Sequence, residues 1–232
     1  MRSSSTARRS AAEPRAVRQL AAVRRAVAPL SPPVSSFEAS IRSTPFRILV
    51  SVLLSARTQD PVTEKAAARL FARADTPGKM AMLSEAEIAR LIFPVGFYRT
   101  KARHIRAICR ELGDSGRVPP TLDGLLRLPG IGRKSANLVL ALAFSRPAIA
   151  VDTHVFRISR RLGWAGGHTP AEVEKELQGL FPRRSWSGVN QVLVGFGQTI
   201  CRPVNPKCSL CVLNQDCPSS QAKRSPSGKP RR

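Results

Sequence analysis

Lys134 and Asp152 are the two side chains best placed by their surroundings for covalent chemistry. Lys134 lies in LPGIGRKSANLVLALAF, residues 128–144. Gly130 and Gly132 can take positive φ and carry no Cβ, so the N–H groups of a tight turn there can approach a phosphate oxygen. Arg133 to Phe144 is free of Gly and Pro and places Leu138, Ala141 and Leu142 at helical spacing. A helix therefore opens at the turn, directs its positive end at the same anion, and carries Arg133 beside it. Lys134 falls in the first helical turn, where the dipole disfavours a cation, so it is a candidate amine nucleophile. A free lysine is neutral at pH 7 in only about one molecule in a few thousand, so such chemistry needs a lowered pKa, a local base, or both. Asp152, in AVDTHVFR, is the candidate partner. As the N-cap of its own helix it would be held ionised by backbone N–H groups. It could then stabilise a positive sugar or relay the amine proton. Taken alone, Asp152 reads as a plain helix cap.

Four of the five cysteines, Cys201, Cys208, Cys211 and Cys217, are spaced C-x6-C-x2-C-x5-C. Four thiolates on so short and polar a segment can hold an iron-sulfur cluster or a zinc ion. The spacing favours iron-sulfur, because zinc sites more often show two C-x2-C pairs. Disulfides fit less well in a basic chain without a secretory signal. Arg202 and Lys207 interleave with the ligands and could meet a phosphate backbone. Cys109 stands apart on the apolar face of a helix, as a small buried hydrophobe.

The net charge is +23, from 38 Lys plus Arg against 15 Asp plus Glu, with pI near 11.6. Residues 1–36 contribute +6 and residues 218–232 contribute +5, which leaves +12 for the middle of the chain. The body itself is basic, so a nucleic acid is the expected partner and binding should depend on salt. No apolar run of about 18 residues exists, so no membrane span is expected. The Arg- and Ser-rich start imitates an organelle transit peptide, but a disordered basic tail is the simpler reading.

Helices must position these groups. Thr44-Pro45, Asp60-Pro61 and Thr76-Pro77 open segments running to Leu54, about Arg73 and a short turn; Ser84 with Glu87 forms a capping box before Ile88–Phe93. Tyr98 to Leu112 puts Ala102, Ile105 and Cys109 on one face and stops at Gly113; Thr121 caps a short helix to Arg127. Further helices run from Asp152 to Leu162, from Thr169-Pro170 to just before Pro182, and from Trp186 to Ile200. Without sustained alternation or a fixed-period repeat, the class is all-α.

LPGIGRKSAN, then AVDTHVFR, then the cysteine spacing, in that order, closely resemble the endonuclease III family of DNA base-excision glycosylases. The resemblance covers about Pro45 to Cys217. It implies a two-domain helix-hairpin-helix fold in which SRPAIAVD supplies the loop before the catalytic aspartate, and a [4Fe-4S] cluster rather than zinc on the four cysteines. A six-helix barrel would span 36–146, and the cluster domain would combine residues 15–35 with 147–217. Residues 1–14 and 218–232 would be disordered basic tails. Lys134 distinguishes the chain from relatives resembling adenine-specific mismatch glycosylases, which lack this lysine and use water. The resemblance thus implies a bifunctional glycosylase and abasic-site lyase for damaged pyrimidines in double-stranded DNA. The nucleotide is flipped, Lys134 attacks the sugar with Asp152 assisting, and β-elimination follows.

Two family loops fill the hole left by flipping. One is LLSARTQD, where Arg57 stands in place of the family's glutamine, with Gln59 two residues later. That departure puts the usual opposite-base contacts in question. The other is VGFYRTKA, where Phe97 occupies the wedge position. Asp60 would touch the lesion or cap its helix; His154 would support the site; Gly130 and Gly132 would anchor the strand. The enzyme is expected to be a monomer in a bacterial cytoplasm or nucleoid, with organelle targeting left open. The rivals are a non-catalytic DNA-binding module with a structural cluster, a redox protein, and a glycosylase directed at uracil or mismatches.

Overall fold

The structure is a computed structural model that describes residues 14–41, 44–113 and 115–222. The expected tails therefore lie outside the described residues at 1–13 and 223–232. Within 218–222, Ser220 is buried and its N–H donates to Cys217 O, so this stretch is part of the folded body rather than a tail. The described residues are all helical in their regular structure, with no strand. The helices are α1 (Arg15–Val27), α2 (Pro33–Ile41), α3 (Pro45–Ser55), α4 (Asp60–Arg73), α5 (Pro77–Ala81) and α6 (Glu85–Ile92). They continue with α7 (Tyr98–Leu112), α8 (Leu122–Leu126), α9 (Arg133–Phe144), α10 (Thr153–Arg161), α11 (Pro170–Leu180) and α12 (Trp186–Thr199).

The starts follow from local chemistry. Thr44, Thr76 and Thr121 accept an N3 backbone N–H at helices α3, α5 and α8, and Ser84–Glu87 and Thr169–Glu172 complete reciprocal capping boxes. At α4 the cap position belongs to Gln59, and Asp60 is the first helical residue, so Asp60 is freed from a capping role.

Apolar faces pack into two buried clusters. One gathers α3 to α9, from Phe46 to Leu140, and the other joins α1 to α10, α11 and α12. Burial of this apolar area is the main favourable term in both. The Trp164 indole N–H donates to Gln19 Oε1 at 2.8 Å, which ties α1 into the second cluster without leaving a buried donor unpaired.

Residues 148–151 run between the clusters as extended chain. Ala148 and Ala150 belong to the first cluster and Ile149 and Val151 to the second, the alternation that a period of two requires. Such a segment has no helical acceptors or donors for its peptide groups, and two asparagines supply donors. Asn137 Nδ2 on α9 donates to Ile149 O (3.0 Å) and Asn190 Nδ2 on α12 donates to Ala150 O (2.8 Å). Asp152 follows directly. Replacing Asn137 by Leu keeps the bulk but orphans a buried carbonyl, so stability to urea should fall by about 1–3 kcal/mol; a loss below about 0.5 kcal/mol would show that the seam does not need this bond.

Candidate active site and nucleic-acid interface

Where the two clusters meet, a cleft of about 1000 Å³ is lined by Arg57, Gln59, Asp60, Lys134, Asp152 and His154. Helices α2 and α12 contribute Glu38, Asn190 and Gln198 to its wall. Asp152 is the N-cap of α10, and its Oδ1 accepts from the N–H groups of His154 and Val155, both at 2.9 Å. Both bonds go to one oxygen, which leaves Oδ2 available. Lys134 is half-buried in the first turn of α9 and has no ion-pair partner among the described residues.

The acids and bases of the cleft sense one another. Burial raises the Asp60 carboxyl above its ordinary range, opposed by a hydrogen bond from Gln198 Nε2 (3.3 Å) and by the nearby Lys134 and His154 charges. Gln198 Oε1 accepts from Val34 N–H at 3.2 Å, so its amide is oriented from both ends. Burial lowers the His154 imidazole, Arg157 lowers it further, and Asp152 and Asp60 pull it back up. His154 is wedged against Gly197, where an added Cβ would lie 2.3 Å from its Nδ1.

The hairpin separates its two glycines by role. Gly130 has φ +77, and the His104 ring occupies the place its Cβ would take, at 2.2 Å, so glycine is required twice over. Gly132 instead has φ −88, an extended value open to any residue; what it offers is open space around the N-cap of α9. The next residue, Arg133, is not a free cation. Its Nε and Nη2 donate to Glu174 at 2.8 and 2.9 Å, a bidentate pair that joins the hairpin to α11.

Outside the cleft, Phe97 is 61% exposed, with the Arg57 guanidinium 5.5 Å from its ring centroid. The two expected DNA-inserting loops are therefore side by side. Arg202 and Lys207 are exposed on the cysteine loop.

That loop is knitted to α10. Arg161 donates to Arg202 O (2.7 Å), Pro203 O (2.9 Å) and Cys201 Sγ (3.5 Å), and Arg157 Nη2 donates to Cys201 O (3.0 Å) while approaching His154 Nδ1 (3.2 Å). Cys201, Cys208, Cys211 and Cys217 line one small cavity. Burial raises the Cys211 thiol, and the other three cysteines raise it further. Cys109 is remote from them on α7, its thiol pushed up to about 12 by burial and so inert at neutral pH.

Known proteins are similar to this chain in sequence and in fold. A family model described as HhH-GPD superfamily base excision DNA repair protein matches residues 50–183. The chain belongs to this superfamily. Endonuclease III of Thermotoga maritima is 48% identical over 175 residues, 75% of this chain and 82% of that one. Endonuclease III-like protein 1 of Mus musculus is 42% identical, across 76% of this chain and 60% of its own longer length. A solved structure of a trapped endonuclease III–DNA covalent intermediate, an estranged-adenine complex, superposes with TM-score 0.74 at 38% identity over 78% of this chain and 86% of that one. A thermostable thymine-DNA glycosylase has TM-score 0.69 at 22% identity, a likeness of fold alone.

In this HhH-GPD chain, sequence reasoning missed Gln198, Asn190, Arg157, Glu174 and Lys101, whose roles exist only through contacts distant in sequence. Because the Asp60 charge raises the His154 pKa, Asp60→Asn should move the imidazole titration to lower pH, read from the His154 ring resonances by NMR. An upward shift would mean that the two side chains do not share the cleft.

Proposed function

We propose that this chain is a bifunctional enzyme of base-excision repair, a DNA N-glycosylase that removes oxidised pyrimidines and cleaves the resulting abasic site by β-elimination. The observation that carries this reading is the shared cleft: a lysine at a helix N-terminus, without an ion-pair partner among the described residues, and an aspartate whose carboxylate is fixed by two backbone N–H groups. Similarity to an endonuclease III captured as a covalent intermediate with DNA supports an amine nucleophile.

The damaged nucleotide would be flipped into the cleft. Lys134 Nζ, as the free amine, bonds to the sugar C1′ while the bond from C1′ to the base breaks and the base leaves with its electron pair, taking up a proton. Asp152 stabilises the developing positive charge on the sugar and accepts the proton shed by the amine. Ring opening gives an imine; loss of a C2′ proton expels the 3′ phosphate and cuts the strand 3′ to the lesion. Asp60 and His154 shape the polarity of the same cleft, and Gly130 with the open N-terminus of α9 would hold a backbone phosphate. Phe97 and Arg57 would fill the vacated stack. Arg202 and Lys207 would reach a flanking phosphate.

Cys201, Cys208, Cys211 and Cys217 would hold a [4Fe-4S] cluster. Among the described residues no three His, Cys, Asp or Glu side chains converge to hold a metal ion, whereas the four thiols surround a common cavity, as a multi-atom cluster requires. N–H donors at two sulfurs, Leu213 N to Cys211 (3.4 Å) and Arg161 Nη1 to Cys201 (3.5 Å), suit thiolates. The group would supply mechanical fixation of residues 201–217. The division into a barrel over 36–146 and a cluster domain of 15–35 with 147–217 is supported by the two apolar clusters. We infer a monomer acting on cellular DNA, in the cytoplasm or nucleoid of a bacterium.

Borohydride trapping on duplexes carrying thymine glycol, dihydrouracil or an abasic site should yield a covalent adduct. Lys134→Ala should abolish it while leaving DNA binding largely intact, and Asp152→Asn should slow it by about 10²–10⁴-fold. An adduct undiminished in the Lys134 variant would overturn the assignment of the nucleophile; preference for uracil mismatches in the same panel would favour a mismatch-directed enzyme. Metal analysis of the purified protein should find iron, lost on Cys211→Ser; zinc in its place would overturn the cluster.

A further inference from the structure

Lys101 carries a charge that the chemistry above does not use. It sits on α7, is 5% exposed, and donates through Nζ to Leu54 O (2.8 Å), Ala56 O (2.6 Å) and Thr58 Oγ1 (3.2 Å). No carboxylate among the described residues pairs with it; burial brings its pKa down to about 8. Three oxygens of one turn thus replace the water that an ammonium normally keeps.

The turn so held is the one that presents Arg57. Thr58 Oγ1 also accepts from Gly96 N–H at 3.2 Å, and a Cβ on Gly96 would lie 2.7 Å from Arg57 O, so the two DNA-facing loops are in backbone contact. Arg57 (φ 54) and Phe97 (φ 58) both sit in the left-handed region, which is strained for side chains of this size. Strain of this kind persists only where neighbouring contacts over-determine it. Here those contacts converge on the Lys101 ammonium from one side and Gly96 from the other.

We propose that Lys101 is a positioning residue: its ammonium staples the 54–58 turn to α7 so that Arg57 and Phe97 meet DNA as one preformed wedge, which gives preference for damaged over intact duplex. Phosphate contacts elsewhere grip both kinds of duplex alike, because they carry no information about the bases. Only insertion into a weakened stack separates them. Without the staple, the two left-handed residues relax in the free protein and must be reordered when the wedge inserts, and that ordering weakens binding to damaged DNA alone.

The inference rests on the proposed function in taking damaged duplex DNA as the substrate and Arg57 with Phe97 as the inserting side chains. Its test is a double-mutant cycle on the full-length, iron-loaded protein: wild type, Lys101→Met, Phe97→Ala and the double variant. Affinity is measured by fluorescence anisotropy for a duplex with a tetrahydrofuran abasic analogue and for the matching undamaged duplex. Lys101→Met should weaken binding to the analogue about tenfold, the scale of hydrogen bonds to a charged group, and change the undamaged Kd by less than about twofold. The double variant should bind the analogue no more weakly than its more impaired parent, since both substitutions disable one wedge. Multiplicative losses, or equal losses on the two duplexes, would overturn the proposal. Should Lys101→Met fail to fold, Thr58→Val removes the hydroxyl shared by Lys101 and Gly96 and should shift the same ratio by about threefold; an unchanged ratio again refutes it. Wild-type trapping on an authentic abasic duplex, run alongside, fails only if the lyase reading fails, so the two ideas fall separately.

Discussion

The four extended residues Ala148–Val151 are the constraint on which the site depends. A helix could not cross this seam and deliver alternate side chains to two cores at once; an extended chain can, but it leaves carbonyls buried among apolar groups. Asn137 and Asn190 answer that need from opposite walls, one on α9 and one on α12. The two helices are thereby registered to the same short segment. α9 carries Lys134 at its start, and the segment ends at Asp152. Lys134 and Asp152 owe their common cleft to this one piece of hydrogen-bonded extended backbone.

The chain is a base-excision DNA repair protein with an unusually high positive charge, and it does not leave all of that charge free to meet DNA. Arg133 is occupied by Glu174, Arg161 by three acceptors on the cysteine loop, Arg157 by the Cys201 carbonyl, and Lys101 by the 54–58 turn. Each ties together elements far apart in sequence. Cations that bond to carbonyls keep their charge while ordering backbone, which suits a surface that must be both rigid and positive near a polyanion. Lysine at position 134 is the contrast. It has no ion-pair partner among the described residues and lines the cleft.

How much was legible in the sequence follows from the range of each interaction. Helix starts at Thr44, Ser84, Asp152 and Thr169 are written in a few adjacent residues, and the structure has all of them as helix N-caps with side-chain hydrogen bonds. The all-α class and the family were readable for the same reason: they rest on contiguous motifs and fixed spacing. Helix α2 was not drawn as a helix of its own, because PVSSFEASI offers little amphipathic signal beyond an N-terminal proline. Arg133 read as a free phosphate ligand since its partner Glu174 lies 41 residues away. Gly132 read as a second positive-φ glycine, yet only Gly130 adopts that conformation; one such residue is enough to turn the chain, and the next is already entering the helix. Lys101 was invisible altogether, since a lysine in RTKARHIR reads as solvated.

Helix α7 organises the Arg57–Phe97 pair and the hairpin turn, whereas α9 carries Lys134. Phe97 is the N-cap residue of α7, and Lys101 lies one turn further in, anchoring the Arg57 turn. His104, one more turn along, packs against Gly130 of the hairpin. One helix thus presents Phe97 at its start and supports the hairpin turn farther along, without contributing to the cleft that holds Lys134 and Asp152. At the side of Phe97, Arg57 offers a guanidinium with hydrogen-bond donors only. Arg57 lines the same cleft as Lys134 and Asp152, while Lys134 is held by α9 and Asp152 by the seam.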